Sequence, residues 1–202
     1  MDPVRYISNH STGRMGIAIA DCAADAGADV VLVMGPVTIS TQNSSVRVVN
    51  VTDAASMAKE CIELFHDCDI AILAAAVADF TPVNISGRKM KREGNELVIK
   101  FKPTTDIAAT LGKMKRPDQL VAGFALETDN ELENAVAKLK NKNLDLIILN
   151  SLRDTGAGFG YDSNKITIID RYNNIGKFEL KSKKEAAADI IDKIAGMIIM
   201  TK

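Results

Sequence analysis

The stretch from Ser8 to Gly16 brings polar side chains and two glycines together, just before a segment with helical spacing. A helix N-terminus has free backbone N–H groups and a positive dipole end, so a polar loop there would favour an anion. The side chains concerned belong to Ser8, Asn9, His10, Ser11, Thr12 and Arg14, with Gly13 between them. A loop that only caps the helix would have the same composition, and the stretch is neither a Walker loop nor a GxGxxG fingerprint. Phosphate binding and plain capping both remain open.

A second candidate lies where a continuous apolar run, residues 69–76, ends in small side chains. Ala74, Ala75 and Ala76 would let a flat ring approach the backbone, whose N–H and C=O groups can read the edge of a base. Asp79 could accept a hydrogen bond from a base or sugar, or it could cap a turn. Tight helix packing against the alanines explains the same pattern without a ligand.

A third candidate is the basic loop, residues 88–92, which holds four cations in five positions between Gly87 and Gly94. Like charges repel each other, so this loop could close onto a polyanion such as a triphosphate. Its first lysine is Lys89. A run of charge is also typical of a solvated surface.

Three further side chains could contact a nucleotide. Lys138 and Lys142 are four residues apart and therefore share one face of a helix. Phe124 interrupts a strand end of small residues, where an aromatic ring could stack on a base. Surface lysines and a core phenylalanine would look the same.

The composition indicates an ordinary globular protein. The 202 residues are 47% hydrophobic and 25% charged, and the formal net charge is -1, so no bulk charge attracts nucleic acid or an anionic membrane. No apolar run approaches the ~20 residues of a membrane span, and no segment has the pattern of a signal peptide. Cys22, Cys61 and Cys68 lie in no metal-binding or CxxC motif, which predicts reduced thiols in a cytoplasmic protein.

Alternating strand and helix patterns must position these candidates. They predict helices over residues 14–27, 53–66, 105–113, 130–141 and 183–200, with Thr104 or Thr105 capping the third. They predict strands over residues 29–34, 46–51, 69–76, 96–102, 120–125 and 145–149, and a hairpin over 165–170 and 177–181. The expected fold class is α/β, a Rossmann-like, doubly wound, mostly parallel sheet with an added β-hairpin and flap region, in a single nucleotide-binding domain over residues 1–202.

The segment before the first predicted helix is loop-like. A doubly wound sheet normally feeds that helix from its central strand. We therefore expect that this domain lacks the first strand of such a fold, either because the chain is a fragment or because another element fills the position.

Taken together and in this order, the motifs resemble phosphopantothenoylcysteine synthetase, the ligase domain that is often fused behind a flavin-dependent decarboxylase in bacteria. The matching stretches are residues 2–5 (DPVR), 7–13 (ISNHSTG), 75–80 (AAVADF), 89–92 (KMKR), 123–128 (GFALET) and 142–145 (KNLD). They span nearly the whole chain, and their combination is far more specific than any one of them.

The resemblance implies a two-step ligase reaction in coenzyme A biosynthesis. The carboxylate of 4′-phosphopantothenate attacks the α-phosphate of CTP and releases pyrophosphate, and the amine of L-cysteine then displaces CMP from the acyl-cytidylate to form an amide. The resemblance assigns Asn9 to handling the acyl-cytidylate and Lys89 to forming it. It also implies Mg²⁺ with the triphosphate, a homodimer, a cytoplasmic location and an upstream flavin-dependent decarboxylase domain.

The resemblance also implies which residues bind the ligands. Nucleotide contacts fall on Ala74, Ala75, Ala76, Asp79, Lys89, Thr105, Asp106, Ile107, Ala108, Phe124, Lys138 and Lys142. Substrate contacts fall on Ser8, Asn9, His10, Ser11 and Gly13. Two departures from the family pattern stand out: Arg92 replaces the more usual lysine, and the family's strand and Gly-rich turn do not precede the DPVR stretch.

Two other functions remain open from the residues alone, a nicotinamide-dependent short-chain reductase and a non-catalytic nucleotide-binding module. A reductase should show GxGxxG after a strand and a Tyr-x-x-x-Lys pair on a helix, and neither is predicted here. A binding module would keep a base pocket but would not need Asn9 and Lys89 together. Physics does not separate CTP from ATP, because both present a flat base and a triphosphate.

Overall fold

The structure is a computed structural model that describes residues 1–91, 94, 96–151 and 160–201. The helices of this part are α1 (Arg14–Asp25), α2 (Ala54–Phe65), α3 (Ile107–Met114), α4 (Glu131–Asn141) and α5 (Lys183–Thr201). The strands are β1 (Val31–Met34), β2 (Arg47–Asn50), β3 (Ile70–Leu73), β4 (Phe80–Pro82), β5 (Phe101–Pro103), β6 (Leu120–Glu127), β7 (Leu146–Ser151), β8 (Ser163–Asn164), β9 (Ile166–Asp170), β10 (Ile175–Lys177) and β11 (Lys181–Ser182).

The central sheet has five strands in the order β10-β9-β7-β6-β3. Strands β3, β6 and β7 run parallel, whereas β9 and β10 are antiparallel to their neighbours. Strands β1 and β2 form a separate parallel pair. Because parallel strands end at the same edge, the carboxyl ends of β3, β6 and β7 lie together, where open α/β sheets bind ligands.

Two hydrophobic clusters cover the two faces of the central sheet. Along β6, Val121 belongs to the cluster with α2, α3 and α4, whereas Leu120 and Ala122 belong to the cluster with α1 and α5. The same alternation continues along β7, where Ile147 and Ile148 lie on opposite faces and are 1% and 0% exposed. Helices on both faces of the sheet confirm the predicted α/β class.

Helix boundaries agree with the predictions except at one cap. The Asp53 side chain accepts a hydrogen bond from the backbone N–H of Ser56 at 2.8 Å and begins α2, as predicted. Gly27 follows α1 with φ +90°, a conformation that L side chains rarely adopt. The prediction for α3 was wrong, because Asp106 rather than Thr104 or Thr105 caps it, accepting from the backbone N–H of Ala109 at 3.0 Å.

The flap region is a short antiparallel pair rather than a long exposed strand. Strand β5 covers only the end of the predicted strand 96–102, and it pairs with β4, which lies where no strand was predicted. Pro82 and Pro103 occupy the ends of the two strands and have no N–H to donate, so they limit the ladder.

The C-terminal hairpin is confirmed, but its second strand begins two residues earlier than predicted. Strand β10 pairs with β9 from Ile175, and the Asp170 carboxylate accepts the backbone N–H groups of Tyr172 and Asn174 at 3.0 Å in the turn. Strand β11 pairs with β8 instead of extending the hairpin. Within the described residues, no helix is long and apolar enough to cross a membrane.

Candidate functional site

The run of small residues after β3 begins at the ligand-binding edge of the sheet. Strand β3 ends at Leu73, earlier than the predicted boundary, and Ala74 to Ala78 continue beyond it. Ala75 and Asp79 are exposed there, whereas Ala74 packs partly against the core cluster of α1 and α5. This segment therefore presents backbone and small side chains at the carboxyl end of a central strand.

The Asn9 side chain lies against this segment. Its Nδ2 donates to the carbonyl oxygen of Ala76 at 3.0 Å and to that of Val77 at 3.4 Å. The two stretches are 67 residues apart in sequence, yet the amide joins the predicted substrate loop to the predicted nucleotide strand end.

The loop on either side of Asn9 leads into α1. Ser8 and His10 are exposed, and Ser11 is partly buried. Gly13 precedes the helix with φ +75°, and no side chain caps α1. A Cβ at this position would lie 3.1 Å from the Val37 side chain, so both the backbone conformation and the close approach favour glycine.

The turn before α3 is tied to the same strand end. The Thr104 hydroxyl donates to the carbonyl of Ala78 at 2.7 Å, and its backbone N–H donates to the carbonyl of Asp79 at 2.9 Å. Thr105 is exposed, whereas the Ile107 side chain is buried and Ala108 packs against the core. A nucleotide contact by Ile107 would therefore involve its backbone at the helix N-terminus.

Lys138 of α4 and Lys142, which caps the end of that helix rather than lying within it as predicted, each form an ion pair with a carboxylate. Lys138 contacts Glu127 at 2.6 Å, at the carboxyl end of β6, and Lys142 contacts Asp106 at 3.0 Å. Partial burial raises the pKa of Asp106, but hydrogen bonds from the Ala109 N–H and the Lys142 ammonium outweigh it, so the net pKa is lowered. The second ion pair brings Lys142 to the turn at residues 105–108, whereas the first holds Lys138 at the carboxyl end of β6.

Phe124 and Asn150 lie on β6 and β7, the two strands that follow β3 across the sheet. Phe124 is half-buried on β6 and packs partly against the cluster of α1 and α5. Asn150 lies near the carboxyl end of β7, beside Leu126, and its buried Oδ1 atom has no hydrogen-bond partner among the residues that the structure describes. Sequence reasoning missed Asn150, and the signal that could have revealed it is a polar residue ending an otherwise apolar strand.

The basic loop has a different anchor. The backbone N–H of Met90 donates to the Asp2 carboxylate at 3.1 Å, and Arg5 donates to the carbonyl of Met90 at 2.7 Å. Lys89 is exposed beside this attachment. Arg92 lies outside the described residues. The contacts of this loop therefore lead to the N-terminal segment, and its predicted closure onto a triphosphate remains a prediction.

Two motif features have structural explanations. Asp145, in the KNLD stretch, is buried and its carboxylate accepts from Lys115 at 2.8 Å, from Arg171 at 2.9 Å and from the Val121 N–H at 2.8 Å. Tyr161 and Lys165 have the spacing of a reductase pair, but they flank strand β8. Residues four apart share a face only on a helix, so this spacing does not support a reductase.

Comparison with known proteins identifies the family. The DNA/pantothenate metabolism flavoprotein C-terminal domain family matches residues 1–198. The chain belongs to this family. The coenzyme A biosynthesis bifunctional protein CoaBC of Bacillus subtilis (strain 168) is 38% identical over 197 residues, which are 98% of this chain and 48% of that protein. The resemblance to the ligase domain of such bifunctional proteins is thereby confirmed.

Two further similar proteins are a solved structure and a relative with a different enzyme name. The crystal structure of the C-terminal domain of a CoaBC protein has a TM-score of 0.83 and 36% identity, covering 98% of this chain and 88% of that one. A protein named cysteine/cysteine sulfinic acid decarboxylase, from an unknown prokaryotic organism, is 61% identical over 198 residues, 98% of this chain and 55% of that protein. The chain thus spans about half the length of this protein and of the Bacillus subtilis protein.

Proposed function

We propose that this member of the flavoprotein C-terminal domain family forms the ligase site that joins 4′-phosphopantothenate to L-cysteine at the expense of CTP. A carboxylate oxygen of phosphopantothenate bonds to the α-phosphorus of CTP, the bond to the β-phosphate breaks, and pyrophosphate leaves. The cysteine amine then bonds to the acyl carbon, gives up a proton, and displaces CMP. Coenzyme A biosynthesis would use the amide.

The observation that carries this proposal is the pair of hydrogen bonds from Asn9 to Ala76 and Val77. An acyl-nucleotide must touch both the group that binds the acyl part and the group that binds the nucleotide. The Asn9 amide lies between the loop at the α1 N-terminus and the small residues after β3, and it carries no charge. A neutral amide can hold an acyl phosphate without trapping its carboxylate precursor in an ion pair.

The nucleotide would lie along the edge formed by β3, the α3 N-terminus and α4. Asp79, Phe124 and the small residues after β3 would surround the base and sugar, and Lys138 and Lys142 would reach the phosphates. Mg²⁺ would enter with the triphosphate, because this ion keeps several waters and is usually held by one or two carboxylates together with substrate phosphates. Lys89 would then neutralise charge that develops as pyrophosphate departs.

The chain would act as a homodimer in the cytoplasm, in a polypeptide with an upstream flavin-dependent decarboxylase domain. Large apolar side chains are exposed on and around the flap, including Phe80 (58%), Ile85 (71%) and Val98 (83%). Large apolar side chains exposed in one region of a chain favour association with another protein surface. A second copy of the chain is the occupant that the resemblance implies.

The Asn9→Asp variant of the intact protein tests the site. The carboxylate cannot donate to the Ala76 and Val77 carbonyls and adds like-charge repulsion beside the acyl phosphate, so amide formation should fall about a hundredfold while CTP still binds. Asn173→Asp, in the hairpin turn between β9 and β10, is the matched control. Pyrophosphate release and amide formation are measured separately, and unchanged amide formation in Asn9→Asp would remove Asn9 from the reaction.

The decarboxylase name of the relative at 61% identity defines the competing outcome. Wild-type protein is incubated with cysteine alone and with cysteine, CTP, Mg²⁺ and phosphopantothenate. Pyrophosphate release that requires phosphopantothenate supports the ligase. Absence of pyrophosphate from the complete mixture would contradict it whether or not CO₂ is released from cysteine, and CTP binding without either product would favour a non-catalytic nucleotide-binding module.

A further inference from the structure

The N-terminal segment holds the basic loop through a network around one buried carboxylate. The Asp2 side chain is fully buried although it is charged. It accepts from the backbone N–H groups of Val4 at 2.9 Å and Arg5 at 2.8 Å, and from the Arg5 guanidinium at 2.6 Å and 3.0 Å. Its remaining bond, from the backbone N–H of Met90 at 3.1 Å, is the one that leaves the segment.

Two more hydrogen bonds join the same two segments. The Arg5 guanidinium donates to the carbonyl of Met90 at 2.7 Å, so both backbone groups of that residue are bound. The backbone N–H of Ser86 donates to the carbonyl of Met1 at 3.1 Å. The loop is therefore fixed at its start and at the residue between Lys89 and Lys91.

The Arg5 guanidinium, aided by the three backbone N–H groups, lowers the pKa of Asp2 despite the opposing effect of burial. The carboxylate thus stays ionised at neutral pH. Charge-assisted hydrogen bonds are roughly twice as strong as neutral ones, so an ionised Asp2 can hold a loop that carries several mutually repelling cations. Arg5 is only four residues before Asn9, so the same segment links the basic loop to the candidate acyl-handling residue.

We propose that Asp2 is a positioning residue, which fixes the backbone of Met90 both directly and through Arg5 and thereby holds Lys89 in a fixed position relative to the Asn9 loop. The proposal rests on the proposed ligase function for its kinetic consequence, but not for its structural one. Asp2 does not touch substrate. It acts through the loop that carries Lys89.

Limited proteolysis of the intact protein tests the structural part without any activity. Asp2→Asn loses the charge and an acceptor at nearly constant shape, so trypsin should cut after Arg88, Lys89 or Lys91 about tenfold faster, since bonds to charged groups are among the stronger ones. Asp170→Asn is the matched control, because Asp170 is also buried and accepts from Tyr172, Asn174 and Lys193 in a distant turn. Equal cleavage of the loop in both variants would overturn the proposal.

A second variant covers the case in which Asp2→Asn does not fold. Arg5→Gln keeps the Asp2 carboxylate and its three backbone donors, including the Met90 N–H, but removes the guanidinium bonds to that carboxylate and to the Met90 carbonyl. It should increase the same cleavages by a smaller factor. Cleavage at the wild-type rate in Arg5→Gln would contradict the proposed attachment of the basic loop to the N-terminal segment.

The kinetic part uses a double-mutant cycle with Lys89→Gln. If Asp2 acts through Lys89, Asp2→Asn slows pyrophosphate release in the wild type but adds nothing when Lys89 is already glutamine. Independent, additive losses would show that Asp2 has only a general structural role. If the wild-type protein releases no pyrophosphate, the proposed function fails. The comparison of cleavage rates still tests whether Asp2 holds the basic loop in place.

Discussion

Replacing Gly112 by alanine should force α3 away from the carboxyl end of α4. A Cβ at this position would lie 1.9 Å from the carbonyl oxygen of Lys142, although real Cβ contacts essentially never fall below 3.0 Å. The clash is with backbone, so no flexible side chain can yield. The Asn143 side chain also donates to the Gly112 carbonyl at 2.6 Å, which holds the two elements together. The backbones would have to separate by about 1 Å or more, the difference between the first two distances.

The magnitude follows from two opposing effects. Alanine is favoured over glycine inside a helix by up to about 1 kcal/mol. Overpacking that shifts backbone costs about 1–3 kcal/mol and occasionally more, and a contact as short as this one belongs at the upper end. The expected net loss in the free energy of unfolding is therefore about 2 kcal/mol.

Gly196→Ala is the matched control, because Gly196 also lies inside a helix and a Cβ there meets nothing within 4 Å. This variant should gain up to about 1 kcal/mol. Urea unfolding of the two variants measures the difference, and the Michaelis constant for CTP should also rise in Gly112→Ala, since Lys142 moves with its backbone. A Gly112→Ala variant as stable as Gly196→Ala would refute the close approach of α3 and α4.

Three further predictions concern the loop, a thiol and the flap. Lys89→Gln should slow pyrophosphate release about a hundredfold but should slow amide formation from pre-made acyl-cytidylate much less, and Lys91→Gln is the neighbouring control. A normal rate of pyrophosphate release in Lys89→Gln would show that the charges of this loop are only a solvated surface. Burial raises the pKa of Cys61 to about 11, so the native thiolate is at least roughly a hundredfold scarcer at pH 8 than that of an ordinary cysteine, and alkylation should be correspondingly slow. Because the pKa of Cys61 is raised in the folded state, its contribution to the free energy of unfolding should be complete below the ordinary thiol range and should fall as the pH rises towards 11. Denaturant titrations of Cys61→Ala from pH 7 to 11 should show a shallower fall. An equally steep fall in Cys61→Ala would assign the loss of stability to other groups. Val98→Glu should convert a dimer to a monomer in light scattering while the equally exposed hairpin variant Tyr172→Glu does not, and a wild-type monomer at working concentration would contradict the dimer.

Periodicity predicted the elements that bury a continuous face. The helices α1, α2, α4 and α5 and the central strands lie where apolar spacing indicated them, because each packs against one of two clusters that cover the sheet. The flap was predicted less well. Strands β4 and β5 are three residues each, and Phe80 and Phe101 remain exposed, so little burial marks them in the sequence.

Local pattern predicted the candidate site residues but not the contacts that join them. The alanines after β3 and the polar loop before α1 were visible as separate motifs. The Asn9 bonds to Ala76 and Val77 could not be predicted from local pattern, because they join residues that are 67 and 68 positions apart in the sequence. The prediction of the residue that caps α3 was wrong for a related reason. Thr104 has the right side chain to cap a helix, but its hydroxyl bonds the Ala78 carbonyl, which leaves the cap to Asp106.

The ion pairs at the candidate nucleotide site indicate how it could exchange one anion for another. Lys138 and Glu127 have side chains that are 43% and 12% exposed, and Lys142 and Asp106 are 31% and 49% exposed. The Lys142–Asp106 pair is accessible to water and contributes at most about 1 kcal/mol, so a triphosphate could take over Lys142 at small cost. Glu127 is largely buried, so Lys138 would have to contact a phosphate while it keeps its bond to Glu127. The carboxylates meanwhile keep the ammonium groups at the edge of the sheet, which spares part of the side-chain entropy that binding would otherwise lose. Glu127→Gln should therefore weaken CTP binding through disorder of Lys138, although it removes a negative charge that would repel the phosphates. Tighter CTP binding by Glu127→Gln, measured by calorimetry, would show that repulsion outweighs this positioning.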